Sequence, residues 1–204
     1  MGLARRFAEQ LARPQGVGGR LLGSAMDIAN RKPTQLAVDM LAPQDGEHIL
    51  DAGCGTGAGL AEVLRRADCA VTGIDPSDTM LASARRRLGP SAHLVRAGLE
   101  ALSFPDGTFD AALLLNVLYF CDEDGRMTAN LRRVLRPGGR LVAYVTHRDT
   151  MLDWPFAQEG LHRLFDRDRL IDALAAGGFA RDRICVQETS ITRSVRGLIA
   201  CAER

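Results

Sequence analysis

The stretch His48 to Gly57, HILDAGCGTG, limits what this chain can fold into more than any other segment. Ile49 and Leu50 have the unbroken apolar character of a buried parallel strand. Glycines at 53, 55 and 57 suit a tight turn in which backbone approaches a ligand with no Cβ in the way. The residues that follow, Gly59 to Arg66, read as a helix whose N-terminus faces that turn. Unpaired N–H groups and the helix dipole there favour a polar or anionic ligand group.

The glycine pattern alone is ambiguous, because Gly53 to Ala58 also fits the dinucleotide fingerprint G-x-G-x-x-G/A, so context decides. A second apolar run, Ala70 to Ile74, ends at Asp75, 20 residues beyond Gly55. An acidic residue so placed accepts hydrogen bonds from ribose hydroxyls. Turn and acid together describe an adenosine-containing cofactor in an α/β crevice, which covers nicotinamide dehydrogenases and methyltransferases alike.

At 204 residues the chain can bury one sizeable core and is too short for two ordinary domains. A net charge of +1 and the lack of a basic stripe argue against a nucleic-acid partner. The 5 cysteines, Cys54, Cys69, Cys121, Cys185 and Cys201, are scattered and never in C-x-x-C spacing. They read as reduced thiols, neither a disulfide frame nor a zinc site, and no metal site is expected. With no membrane-spanning apolar run and no signal-peptide pattern, the expected location is cytoplasmic.

Taken in order, Leu3 to Ala12 reads as a helix with Leu3, Phe7 and Leu11 on one stripe. Packing on the core is the preferred role; arginines beside the stripe leave contact with a membrane surface as the alternative. Pro14 and the glycines to Gly19 break the pattern, and Leu21 to Ala29 recovers helical spacing. Residues 1–32 are therefore expected to form a helical lid over the ligand crevice, with residues 33–204 as the main domain. Pro33 and Thr34 open a helix that ends at Pro43. Pro76 and Ser77 open another, with Ser77 as N-cap and Met80 on its buried side.

A third strand is expected over His93 to Ala97 and a fourth over Ala111 to Leu115, whose carboxyl end delivers Asn116 and Tyr119 to the edge that carries the glycine turn. The spacing predicts a helix from Asp124 to Leu135, terminated by Pro137-Gly138-Gly139, and a fifth strand from Leu141 to Thr146 ending at His147. An excursion over Met151 to Phe165 holds Trp154, the only tryptophan, and a helix follows from Asp168 to Ala176. Strands over Arg183 to Glu188 and Val195 to Ala202 are joined by too few residues for a crossover and should be antiparallel neighbours. The alternation predicts a doubly wound, Rossmann-like α/β fold: seven strands, mostly parallel, with an antiparallel C-terminal strand and an N-terminal helical lid.

LDAGCGTG at 50–57, GIDPSDTML at 73–81, LSFPDGTFD at 102–110 and LRPGGRLV at 135–142 resemble the class I S-adenosylmethionine-dependent methyltransferases, in particular the small-molecule group related to quinone methyltransferases. The resemblance spans roughly residues 33 to 202, and the terminal antiparallel hairpin agrees with it, whereas a dehydrogenase would be expected to end its nucleotide fold in further parallel strands. It implies S-adenosyl-L-methionine as cofactor and a small organic methyl acceptor, with a phospholipid headgroup as alternative substrate. A nicotinamide-dependent or non-enzymatic nucleotide-binding protein is the reading outside the class.

Carried onto this chain, the resemblance places the cofactor's methionine part against Asp51, Gly53 and Gly55, with backbone contact from Asn116, and counts Cys54 and Gly57 among the cofactor-binding residues. Asp75 would hold the ribose, and adenine would lie between Pro76 or Met80 and the segment Gly98-Leu99-Glu100. The resemblance also implies an acidic residue, to meet the adenine amino group, where this chain has Gly98; Glu100 or water is the substitute.

Methyl transfer from a sulfonium is an in-line displacement of an already activated group, so no catalytic base is required and none is assigned. Were one used, His147 and then Tyr119 are the candidates by location, with Trp154 as a wall of the acceptor pocket. The sequence Asn116-Val-Leu-Tyr119 departs from the [ND]-P-P-[YFW] tetrad of amino methyltransferases acting on nucleic acid and protein glutamine, which disfavours those substrates.

Overall fold

The computed structural model describes residues 25–204. The predicted helix over Leu3 to Ala12, the glycine-rich connection and the start of the second helix lie outside the described residues. From residue 25 the chain is helical through residue 29 and then enters α1, Arg31–Leu41.

Twelve further elements build the sheet and its two helical layers. Strands β1 (His48–Ala52), β2 (Ala70–Ile74), β3 (His93–Val95), β4 (Phe109–Leu115), β5 (Leu135–Thr146), β6 (Ile184–Ser190) and β7 (Arg196–Glu203) form one sheet in the order β3-β2-β1-β4-β5-β7-β6. Pairings through β5 are parallel, and β7 runs antiparallel to both β5 and β6. Only β7 is reversed, as the short link from β6 requires. Helices α2 (Ala58–Arg66), α3 (Asp78–Leu88), α4 (Arg126–Val134), α5 (Arg148–Leu152) and α6 (Arg167–Ala176) complete the fold.

Adjacent positions on the central strands face opposite sides, so both faces are apolar. Ile49, Leu113 and Val142 point to one layer with Leu60 and Val63 of α2, Leu81 of α3, and Ala37, Val38 and Leu41 of α1. Leu50, Leu114 and Leu141 point to the other, with Leu131 and Val134 of α4 and Leu170 and Leu174 of α6. The sheet reverses direction of winding between β1 and β4, which opens a crevice at the carboxyl ends of those strands.

Among the boundaries that differ from those expected, three bear on the site. The helix before β5 stops at Val134, and Leu135 already pairs with Phe109 of β4. Pro137-Gly138-Gly139 therefore forms a bulge inside β5 and does not cap the helix: register resumes at Ala111 with Arg140, and Gly138 takes φ +78°. Strand β4 accordingly begins at Phe109, two residues early. Strand β3 ends at Val95, releasing Ala97 and Gly98 to turn toward the crevice.

No helix among the described residues is long and apolar enough to cross a membrane.

Candidate functional site

At the carboxyl edge of β1, β2 and β4 lies a cleft of about 310 Å³. Its floor is the glycine turn. Gly53 and Cys54 both donate their N–H groups to the Ile74 carbonyl at 2.8 Å, which folds the turn tightly over β2. Gly53 has φ +81° and an added Cβ there would collide with the Val117 side chain, so a side chain is refused on both conformational and steric grounds. At Gly55 an added Cβ would meet nothing within 4 Å: this glycine opens onto the cleft.

Two carboxylates face this turn. Asp51, last but one in β1, is 1% exposed, and its Oδ1 has no hydrogen-bond partner among the described residues. Burial, and secondarily the nearby Asp75 charge, push its pKa up from 3.8 to about 7. Asp75 is braced: Oδ2 accepts from the Gly55 N–H at 3.0 Å and Oδ1 from the Ser77 N–H at 2.8 Å. Burial raises its pKa, and those two N–H groups act in the opposite direction. Ser77 also accepts from the Met80 N–H at 3.3 Å, the N-cap bond expected from the sequence.

The far wall comprises Pro76, Met80, Gly98, Leu99 and Glu100. The near wall includes Asn116, which follows β4 and adopts φ +59°. Its N–H donates to Tyr144 O at 2.9 Å and its Nδ2 to Asn30 Oδ1 at 3.2 Å. Asparagine is among the few side chains that tolerate this left-handed backbone.

Of the expected cofactor residues, all but Gly57 line the cleft. Gly57 instead packs against α3, where an added Cβ would fall 2.9 Å from Leu88 Cδ1. Cys54 lines the cleft but sits in the apolar layer, with burial raising its thiol pKa, so it is no reactive thiolate.

The three residues expected on the acceptor side are not part of this wall. Tyr119 lies in a 3-10 turn, Leu118–Phe120, that directs its ring inward. Its hydroxyl accepts from the Thr146 N–H and donates to Asn116 Oδ1 at 3.1 Å. Burial raises its pKa further. His147 is the N-cap of α5, its Nδ1 accepting from the Asp149 N–H at 3.2 Å. Trp154 packs on Phe156, ring centroids 5.5 Å apart, at the edge of the second layer.

Sequence reasoning missed several contributors. Phe120, Cys121 and Met127 line the cleft, as does Tyr144. Phe120 is the neighbour of Tyr119, and only the phase of one short turn decides which of the two faces ligand. Asp27 was also missed: its Oδ1 accepts from Thr56 Oγ1 at 2.6 Å and its Oδ2 from Arg87 Nη2 at 2.6 Å. Arg87 Nη1 closes the triangle by donating to Thr56 Oγ1 at 2.7 Å. The helical residues 25–29 are thus tied to the glycine turn.

A parallel sheet with one reversed strand, a glycine turn at the winding reversal and two acids at the ends of β1 and β2 give this chain the fold of the class I S-adenosylmethionine-dependent methyltransferases. The family described as "Methyltransferase domain" matches residues 50–143, from the end of β1 into β5. S-adenosylmethionine is the cofactor of this class, and the residues present fit it: the unpartnered, fully buried Asp51 oxygen suits an ammonium group, and the open side of Gly55 leaves room for a chain to pass.

Among curated proteins, an O-methyltransferase of Pyrenophora dematioidea is 32% identical over 154 residues, 72% of this chain and 57% of that protein. The malonyl-[acyl-carrier protein] O-methyltransferase of Enterobacter lignolyticus is 34% identical over 161 residues, 74% of this chain and 63% of that protein. The chain thus spans little more than half the length of the curated relatives it matches. In fold it resembles the Burkholderia thailandensis 1,6-didemethyltoxoflavin-N1-methyltransferase, with a TM-score of 0.70 and 23% identity over 100% of this chain and 91% of that one.

Proposed function

We propose that this protein transfers the methyl group of S-adenosylmethionine to a small organic acceptor. The observation that carries the reading is the pair of buried carboxylates on either side of an open glycine turn, one unpartnered and one braced by two backbone N–H groups. In this reading Asp51 holds the ammonium of the cofactor's methionine part and Asp75 its ribose hydroxyls. Gly53, Cys54 and Gly55 form the floor, Asn116 the near side, and Pro76 with Met80 one face of the base.

The bound cofactor supplies a methyl group already activated on a sulfonium. The chain's own contribution is therefore alignment and exclusion of water. Holding two reactants in line can lower a barrier by roughly 7 to 11 kcal/mol in well-oriented systems. The Tyr119 hydroxyl contributes by fixing Asn116 and the end of β5 together, as a positioning residue. Helical residues 25–29, tied through Asp27 and Arg87, serve as the fixed edge of a lid over the amino-acid end.

A small acceptor is supported by the absence of an [ND]-P-P-[YFW] tetrad at Asn116 and by the small-molecule and carrier-bound substrates named for its relatives. The test combines calorimetry with S-adenosylhomocysteine and methyl transfer from labelled S-adenosylmethionine to a panel of phenols, carboxylic acids, amines and quinols. Stoichiometric binding and transfer to at least one class are expected. Asp75→Ala should weaken cofactor binding by about 1 to 3 kcal/mol by leaving ribose hydroxyls unpaired. Unchanged affinity in that variant would remove the ribose assignment.

A further inference from the structure

Asn30 precedes α1 in the position of an N-cap, yet its side chain accepts no hydrogen bond from the helix backbone. An asparagine there ordinarily caps. Its Oδ1 instead accepts from Asn116 Nδ2 at 3.2 Å, in the cleft wall that both residues line. This bond is the last of a chain. The Thr146 N–H can only donate, so the Tyr119 hydroxyl accepts there and sends its own proton to Asn116 Oδ1 at 3.1 Å. With its oxygen engaged by Tyr119, Asn116 turns its amide nitrogen to Asn30, and Asn30 meets it with oxygen. A backbone N–H of β5 thereby sets the direction of both amides. What remains at the far end is the Asn30 amide nitrogen, whose protons no described residue accepts.

Helix α1 packs on β4 and β5, so this donor stands on the side of the cleft lined by Pro33, Thr34, Leu115 and Tyr144. The cofactor's polar ends are served elsewhere. In the proposed reading its ammonium lies on Asp51, its ribose on Asp75 and its carboxylate on N–H groups at the N-terminus of α2, where Ala58 and Gly59 line the cleft. Asp27, in the helical residues before Asn30, is held by Thr56 and Arg87, so an ammonium finds no free carboxylate there. A donor-only group on such a wall selects an oxygen with a lone pair and disfavours a cationic amine. We infer that Asn30 Nδ2 donates to an oxygen of the methyl acceptor and sets its class: a molecule with a carbonyl or anionic oxygen beside the atom to be methylated, in preference to an amine. Asn116 and Tyr119 act through Asn30 as positioning residues. The inference rests on the proposed methyltransferase reading and narrows its substrate.

The experiment uses the full chain, labelled S-adenosylmethionine and three phenols that differ only in the group beside the hydroxyl: salicylate, 2-hydroxyacetophenone and 2-hydroxybenzylamine. The wider panel of phenols, carboxylic acids, amines and quinols is scored in the same way. In the wild-type protein kcat/KM should favour the anionic and carbonyl neighbours over the amine by roughly tenfold or more. Asn30→Asp keeps an oxygen for Asn116 but turns an acceptor-only group to the cleft, so the preference should fall to within about threefold or reverse. Affinity for S-adenosylhomocysteine, read by calorimetry, should stay within about threefold in that variant, which separates the exchange from a folding defect. Tyr119→Phe frees Asn116 to turn over and should narrow the preference by roughly threefold.

A wild-type preference for the amine, or a preference unchanged in Asn30→Asp, would overturn the inference while leaving the cofactor reading intact. So would a loss of about tenfold in S-adenosylhomocysteine affinity in Asn30→Asp with an unchanged acceptor profile, which would put the cofactor's carboxylate on Asn30. A wild-type protein that binds no S-adenosylhomocysteine, or methylates nothing in the panel, would overturn the functional reading and this inference with it.

Discussion

Asp51 carries the sharpest consequence of the site at residue scale. Its carboxyl titrates near 7 in the folded chain against 3.8 ordinarily, because burial disfavours its charge. Between those values the folded state keeps a proton that the unfolded chain releases, so this group's contribution to stability falls as pH rises through the window and is level above it. Three pKa units correspond to a cost of about 4 kcal/mol above pH 7, as an upper estimate. Asp51→Asn should therefore raise the melting temperature of the ligand-free protein at pH 8, with the gain shrinking toward pH 4. The same change should weaken binding of S-adenosylhomocysteine, because the ammonium loses its counter-charge. In the wild-type protein, affinity should rise between about pH 6 and 8 and binding should release a proton, seen as a buffer-dependent heat. A pH-independent affinity and no stabilisation in the variant would show that Asp51 faces no cation.

At the scale of elements, the parts legible in sequence were those whose cause is local. The glycine turn, Asp75 at the end of β2 and the Ser77 cap follow from neighbours within a few residues, and each stands where expected. Features set by distant partners were not legible. Pro137 and the following glycines read as a helix stop, but the pairing of Leu135 with Phe109, far back in the chain, makes them a bulge. Tyr119 and His147 were placed at the correct edge; the turns that contain them fix where their polar atoms go.

The Asp27–Thr56–Arg87 triangle joins three elements and left no sequence signature. Arg87→Met removes one side of it. That should speed release of S-adenosylhomocysteine by about three- to tenfold, as expected for a partly exposed ionic network worth about a kcal/mol. Salt should speed release in the wild-type protein more than in the variant. Stopped-flow displacement measures both; equal rates would mean that residues 25–29 do not gate the cleft.

At the scale of the whole molecule, the strand order places the site where the sheet is best supported. Strands β1 and β4 have neighbours on both sides and helical layers on both faces, while β3 is a three-residue edge and β6 the opposite edge. Amide exchange should accordingly be slowest at Leu113, Leu114 and Val142 and fastest, among strands, in β3 and β6. Uniform protection across the sheet would argue against this hierarchy. A rigid floor under Asp51, with the adenine side bordered by the short β3, suits a site that must hold its reacting end firmly and still exchange its cofactor.

A crystal structure of the full chain with S-adenosylhomocysteine tests the central claim most directly. The expected map has the amino group within hydrogen-bond distance of the Asp51 side, the ribose hydroxyls on Asp75 and the sulfur over the glycine turn near Asn116. A ligand seated elsewhere, or one lying in the cleft with its amino group away from Asp51 and its ribose away from Asp75, would contradict it.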